Sequence, residues 1–304
     1  METAGALVGL IVGVLLAFVG GEALTRGSRS LLAPLGLGLA AFVAVIASAI
    51  PEFAFAMRAA QLDLPGAAVG AVAGSFVANA FIASMLALEG AEDEARGGRT
   101  FAVASAIAAA ALLFVTFDGN ISRTEGGFML AGAILVAIRA ARIELHSPDP
   151  AGPQTRFPVA VLLVLVGLGL LAGGTWLALG QVQSWAAGQP DGDLLAGLTM
   201  LGAGAALPEI AAAFAAARQG KGSRAFVNVA VGTSLTLFGA VGAAALVRPL
   251  VVSENFQGAP AICVAVAAVV LMAVATAKRR LPRGFVFAGF AAWIAALAAF
   301  AWSA

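Results

Sequence analysis

The chain has 304 residues, 61% hydrophobic and only 11% charged, with a mean hydropathy of +0.99 and a formal net charge of +1. A soluble domain carries about 25% charged residues, so this composition excludes one and makes lipid the solvent. One histidine, His146, and one cysteine, Cys263, exclude an internal disulfide, a His/Cys metal cluster and a Cys/His catalytic pair.

Apolar segments able to cross a bilayer, about 17–25 residues each, follow one another through the whole chain. They cover roughly 5–24, 36–57, 66–88, 101–117, 126–142, 158–180, 194–217, 225–247, 258–277 and 284–302. The fold expectation is therefore an all-α polytopic membrane protein of ten transmembrane helices. The opening "METAGALVGLIVGVL" lacks a positive n-region, so the first segment reads as a retained span and not as a cleaved leader. The breaks carry turn and charge signals: "TRGSRS", "EGAEDEARGGR", "FDGNISRTEG", "HSPDPAGPQTR", "GQPDGD", "RQGKGSR" and "KRRLPRG". Nothing remains for a soluble domain. The 37 glycines suit close helix packing in lipid.

Charge placement orients the spans. Fourteen of the 17 Lys and Arg residues fall in the loops after spans 1, 3, 5, 7 and 9 or at the adjoining span ends. The other side holds Arg58, Arg123 and Arg248. By the positive-inside rule the odd-numbered loops are cytoplasmic and both termini extracytoplasmic. The expected setting is a bacterial inner membrane.

Span 2 contains "AVIASAIPEFAFAM", with Pro51 and Glu52 in mid-span; span 7 contains "AGAALPEIAAAF", with Pro208 and Glu209. Proline removes a backbone donor and frees a carbonyl. A carboxylate at mid-bilayer costs about 2.5–3.5 kcal/mol on insertion scales. Together they make a cation site: freed carbonyls near Ala47, Ser48, Ala205 and Ala206, and formal charge from the two glutamates. The blander account, a neutral glutamic acid bonded to a neighbouring helix beside a simple proline kink, serves one such pair better than two in matching places.

The matching extends further. Residues 12–60 share their rhythm with 168–217, and "GAVAGSFVANAF" (Gly70–Phe81) parallels "NVAVGTSLTLFG" (Asn228–Gly239), aligning Gly74-Ser75 with Gly232-Thr233. Five spans per half force the second copy, residues 151–304, to lie inverted relative to the first, residues 1–150. Inverted repeats with Gly/Pro-interrupted spans at corresponding positions point to a transporter's binding site.

These stretches resemble the calcium/cation antiporter superfamily, which includes the sodium/calcium exchangers. Its repeats carry Gly-Thr-Ser-x-Pro-Glu in the second span and Gly-Asn-x-x-Gly-Ser-Asn-x-x-Asn/Asp in the third. "ASAIPE" (Ala47–Glu52) and "GAVAGSFVAN" (Gly70–Asn79) resemble the first repeat; "GAALPE" (Gly204–Glu209) and "NVAVGTSLTL" (Asn228–Leu237) resemble the second. "DGNISRTEGG" (Asp118–Gly127) is similar to a joint common in bacterial members. The resemblance implies ten spans in two inverted five-helix repeats with outward termini. It also implies cation binding by Glu52 and Glu209, with Ser48, Ser75, Asn79 and Thr233 at further motif positions.

The departures lie mainly in the second repeat. Ala205 and Ala206 stand where Thr-Ser is expected, and Leu237 where Asp or Asn is; in the first, Ala49 replaces a serine. Ser234 and Thr236 are nearby hydroxyls on other helix faces. Sodium coupling needs more such oxygens, whereas two glutamates alone can neutralise one divalent ion or exchange it for two protons. The expected activity is secondary antiport of Ca²⁺ or another divalent cation against H⁺ or Na⁺. Spans 1 and 6 would slide past the remaining bundle. The competing expectation is a monovalent-cation homologue, or a non-transporting one whose decayed site leaves a membrane scaffold or regulator. Partners are the lipid bilayer and inorganic cations; no enzyme activity, nucleic acid or resident cofactor is expected, and the oligomeric state is not legible.

Other features have plainer readings. Glu22 and Arg26 are spaced as a helix-end ion pair, and Ser122 and Glu125 as a capping box before span 5. The acidic run Glu89, Glu92, Asp93 and Glu94 reads as a solvated loop. Lys278, Arg279, Arg280 and Arg283 read as topogenic charge that also touches anionic lipid. Trp176, Trp185, Trp293 and Trp302 mark interfaces and packing.

Overall fold

The computed structural model describes residues 2–87, 97–146, 155–187, 189–218, 220, 222–276 and 284, 288, 291, 294 and 295. The architecture is nearly all helical. Long apolar runs form α1 (Glu2–Leu32), α4 (Pro65–Ala87), α5 (Gly98–Val115), α6 (Arg123–His146), α7 (Phe157–Ala186) and α12 (Ala259–Thr276). The remaining spans are broken. The second is α2 (Leu37–Ser48) followed by α3 (Ile50–Gln61); the seventh is α8 (Gly192–Ala196), a π turn and α9 (Gly202–Arg218). The eighth is α10 (Gly222–Leu235), a π turn and α11 (Val241–Val247).

Among the described residues nine helices are long and apolar enough to cross a membrane, and they coincide with the first nine expected spans. The expected tenth span, 284–302, falls almost wholly outside the described residues, as do the acidic run at 89–94 and the basic residues 278–283.

Chain alternation is visible at the two ends of the bundle. The segments after the second, fourth, sixth and eighth spans meet at one end. There Asp63 pairs with Arg248 at 3.0 Å, and β1 (Asn120–Ile121) pairs antiparallel with β2 (Leu250–Val251). Asp191 accepts from the Asn255 amide, and the Gln257 amide donates to the Thr116 carbonyl. At the other end Ser30 Oγ accepts from the Thr155 N–H at 3.3 Å. The capping box forms, with the Ser122 N–H donating to Glu125 Oε2 at 2.8 Å, and so does the Glu22–Arg26 pair at 2.6 Å.

Burial separates a centre from a rim. The third and eighth spans are 94% and 89% buried over their most apolar windows, against 22% for the sixth. A span that faces lipid on no side can carry polar side chains, and these two carry Ser75, Asn79, Thr233 and Ser234, all buried. The third span packs on the ninth and the seventh; the eighth packs on the fourth and the second. Outside them, α1 and α7 run antiparallel at backbone contact. Gly13 faces Ala178, Gly20 faces Leu171 and Gly27 faces Ala160. A Cβ at Gly13 or Gly20 would fall 2.5 Å from the opposing backbone nitrogen. Small residues at such a seam let two helices pack without side chains between them.

Candidate cation-binding site

The two Pro-Glu turns are built differently. In the first, the chain breaks at Ala49 and restarts as α3 at Ile50, so Pro51 falls in the first helical turn, where its missing N–H costs nothing. Glu52 follows in that same turn, at the end of the helix dipole that favours a carboxylate. In the second, Pro208 lies inside unbroken α9, and Glu209 follows it in mid-helix. The distortion has moved upstream, to the π turn at Gly197–Leu201. Such turns are frequent at functional sites. Gly21 of α1 touches both prolines: a Cβ there would stand 2.7 Å from Pro51 Cγ and 3.8 Å from Pro208 Cγ.

α4 joins the two carboxylates. Ser75 Oγ donates to Glu52 Oε1 at 3.0 Å. The Asn79 amide donates to Ser75 Oγ at 3.4 Å and also to Glu209 Oε2. Ser75 and Asn79 lie one helical turn apart, so one face of one helix presents both. Glu52, Ser75 and Asn79 are 0–1% exposed and Glu209 is 5% exposed. Glu52 Oε2, Asn79 Oδ1 and Glu209 Oε1 are buried without a hydrogen-bond partner. Three orphaned acceptors, two of them on carboxylates, leave a strong demand for a cation or protons, because uncompensated buried charge is costly. With both carboxylates bidentate, the cluster offers four carboxylate oxygens, Asn79 Oδ1 and Ser75 Oγ, which reaches the lower end of the 6–8 oxygens that Ca²⁺ takes.

The two other expected residues sit apart from this chain of bonds. Ser48 Oγ donates to the Val45 carbonyl at 2.8 Å and lines a cavity of about 140 Å³ that Glu209 also lines. The Thr233 hydroxyl donates to the Val229 carbonyl at 2.9 Å and lies 3.2 Å from Ser105 Oγ. It ties α10 to α5. Its neighbour Gly232 borders the site instead: a Cβ there would collide with Glu209 Oε1. Ser234 joins the same α5 contact, 2.9 Å from Ser105 Oγ, and Thr236 donates to the Thr233 carbonyl. Ala205, Ala206 and Leu237 are fully buried and apolar, so no side-chain oxygen comes from those positions.

Three features escaped the sequence. Ser105 is one serine in an alanine-rich span with no motif around it. Asn228, Thr25, Arg29 and Arg224 line the cavity beside Glu209; only the folded arrangement brings α1, α2, α9 and α10 to one wall. Gly232 was placed by the repeat, but its contact with Glu209 was not. Among the described residues no group of three or more His, Cys, Asp or Glu side chains is placed to hold a metal; the cluster has two carboxylates, bonded to the neutral side chains Ser75 and Asn79.

Residues 159–302 match the family described as sodium/calcium exchanger protein. Over 267 residues the chain is 24% identical to "Putative antiporter CaxA" of Alkalimonas amylolytica, covering 82% of this chain and 83% of that one. Among solved structures, the sodium-calcium exchanger NCX_Mj soaked with 2.5 mM Na⁺ and 10 mM Sr²⁺ superposes with a TM-score of 0.65 at 18% identity, covering 97% of this chain and 99% of that one. The same exchanger soaked with zero Na⁺ and Ca²⁺ superposes with a TM-score of 0.62 at 21% identity, covering 96% and 98%. The overall fold is shared.

Proposed function

We propose that this chain is a divergent member of the calcium/cation exchanger-like superfamily, a membrane cation antiporter rather than an enzyme, and that it exchanges a divalent cation, Ca²⁺ foremost, for protons between Glu52 and Glu209. The observation that carries this reading is the hydrogen-bonded chain Glu52–Ser75–Asn79–Glu209 with one orphaned oxygen on each carboxylate and one on the amide. Two privately capped glutamates would fit a decayed scaffold. Here one helix face serves both, and each carboxylate keeps an oxygen to offer.

Ser75 and Asn79 act with the glutamates as ligands. Ser48 lines the approach to Glu209, and Thr233 sets the position of α10 behind it. The first half, 1–150, and the second, 151–304, form inverted repeats of five spans each, ten in all, with both termini extracytoplasmic in a bacterial inner membrane. The charge asymmetry of the loops supports this topology, as do the reciprocal contacts of the third span with the seventh and ninth and of the eighth with the second and fourth. In that orientation the cavity beside Glu209 lies at the cytoplasmic end, where Arg29 and Arg224 stand. The α1–α7 pair, joined by its glycine seam and touching both prolines through Gly21, slides as one body against the remaining spans to change access.

Protons are the better counter-ion because Ala205, Ala206 and Leu237 withdraw the oxygens that sodium would need. The test is divalent flux in proteoliposomes under an imposed pH gradient and, separately, an imposed Na⁺ gradient, in wild type and Glu52→Gln. The expected result is pH-driven Ca²⁺ flux lost in the variant. Flux driven by Na⁺ alone overturns the proton coupling. No flux under either gradient, repeated with Mn²⁺ and K⁺, returns the chain to the scaffold reading.

A further inference from the structure

We infer that the exchange is electroneutral: each cycle moves one divalent cation one way and two monovalent cations, protons on the reading above, the other way, with no net charge crossing the membrane. The inference rests on that reading of the Glu52–Glu209 site and adds its stoichiometry.

Among the described residues that are buried, Glu52 and Glu209 are the only acidic or basic side chains; the other buried polar groups are Ser75, Asn79, Ser84, Ser105, Thr116, Thr175, Thr233, Ser234 and Thr236, all neutral. The elements packed around the two carboxylates add almost nothing. α2, α4, α7, α11 and α12 carry no charged residue. α1 carries Glu2 as its first residue, Glu22 and Arg26, which pair with each other, and Arg29 in its last turn. α3 adds Arg58, α9 Arg218 and α10 Arg224, each close to a helix end. Arg29 and Arg224 line the cavity on Glu209 from the end of the bundle where the loops after spans 1 and 7 emerge.

Without an ion the two carboxylates therefore carry a formal charge of two minus between them. One divalent cation cancels it, and so do two monovalent ones. Moving an uncompensated charge through the low-dielectric centre of a membrane is expensive, so the site changes access readily only in these two neutral states. A third monovalent cation would make it positive and would need ligands of its own. At Ala205, Ala206 and Leu237, the positions where the resembled motif carries further oxygens, the side chains are apolar and fully buried. The Thr233 hydroxyl is engaged with Val229 and Ser105. The proton balance closes on the same atoms: as the divalent ion leaves, one proton arrives at each carboxylate, and both depart when the next ion binds.

The test uses the full chain in proteoliposomes with valinomycin and K⁺ clamping the membrane potential. Against a tenfold Ca²⁺ gradient, two-for-one proton exchange should stop at a pH gradient of about 0.5 unit. That null should stay in place at any clamped potential. Three-for-one exchange carries one net charge, and about 60 mV is equivalent to a tenfold gradient of a single charge. Its null would move by about a third of a pH unit for each such step, which would overturn the inference while leaving pH-driven antiport standing. If Na⁺ proves to be the counter-ion, the same experiment uses a roughly threefold Na⁺ gradient for the null. A potential-independent null then supports electroneutrality even as the proton reading fails. Absence of divalent flux, or flux that persists in Glu52→Gln, overturns the site reading and the inference with it.

Discussion

Glu52 and Glu209 stand in matching sequence contexts and in unlike surroundings. Glu52 sits behind a helix break, in the first turn of α3, sealed from solvent and bonded to Ser75. Glu209 sits inside an unbroken helix, accepts from Asn79, and borders a cavity. The first half also supplies both neutral side chains bonded to the carboxylates, Ser75 and Asn79, whereas the residues aligned with them in the second half are Thr233, turned toward α5, and Leu237. Two like sequence elements thus stand in two different structural settings. On the proposed function, one half would fix the ion and the other would contribute a charge and the way to it.

The largest expected effect tests whether both parts are needed. Glu52→Gln and Glu209→Gln should each reduce divalent flux in proteoliposomes to background. A variant that kept more than a tenth of wild-type flux would show that one half suffices. Accessibility sharpens the contrast next. In the ion-free protein, a cysteine placed at 209 should react with a small water-soluble thiol reagent at least tenfold faster than one placed at 52, with Cys263 first changed to serine. Equal rates would erase the distinction between sealed and open halves.

Gly232→Ala comes third, because its Cβ would meet Glu209 Oε1. Flux should fall roughly tenfold, in keeping with a collision of order 1–3 kcal/mol, while elution as a folded species in detergent is unchanged. Normal flux would mean that Glu209 turns away from α10 at no cost. The smallest effect is Ser105→Ala, which removes the hydroxyl shared with Thr233 and Ser234. Interhelical hydrogen bonds in membrane proteins average about 0.6 kcal/mol, so thermal unfolding in detergent should drop slightly with flux preserved. Loss of flux there would move Ser105 from support into the site.

Much of this was legible in the residues. Nine of the ten expected spans appear where apolar runs of bilayer length lie between turn signals, because length and hydropathy decide span formation almost alone; the tenth, 284–302, lies outside the described residues. Pro51-Glu52 and Pro208-Glu209 stood out because proline and a carboxylate are both costly in lipid. What was not legible depends on facing. The alanine-rich spans carry no polar stripe to say which side meets which neighbour, so the turn of Thr233 toward Ser105 left no trace in the sequence. Nor did the cavity made by Thr25, Ser48, Asn228 and Glu209. The unlike placing of the two prolines, one opening a helix and one inside it, is likewise set by packing against α1 and α4 and not by the identical Pro-Glu pairs.

The central claim is that two unequal halves hold one ion. Calorimetric titration of the purified protein with Ca²⁺ tests it most directly, in wild type, Glu52→Gln and Glu209→Gln. The account predicts one Ca²⁺ per chain in wild type and no measurable binding in either variant. Binding that survives either substitution with an affinity close to that of wild type would contradict it.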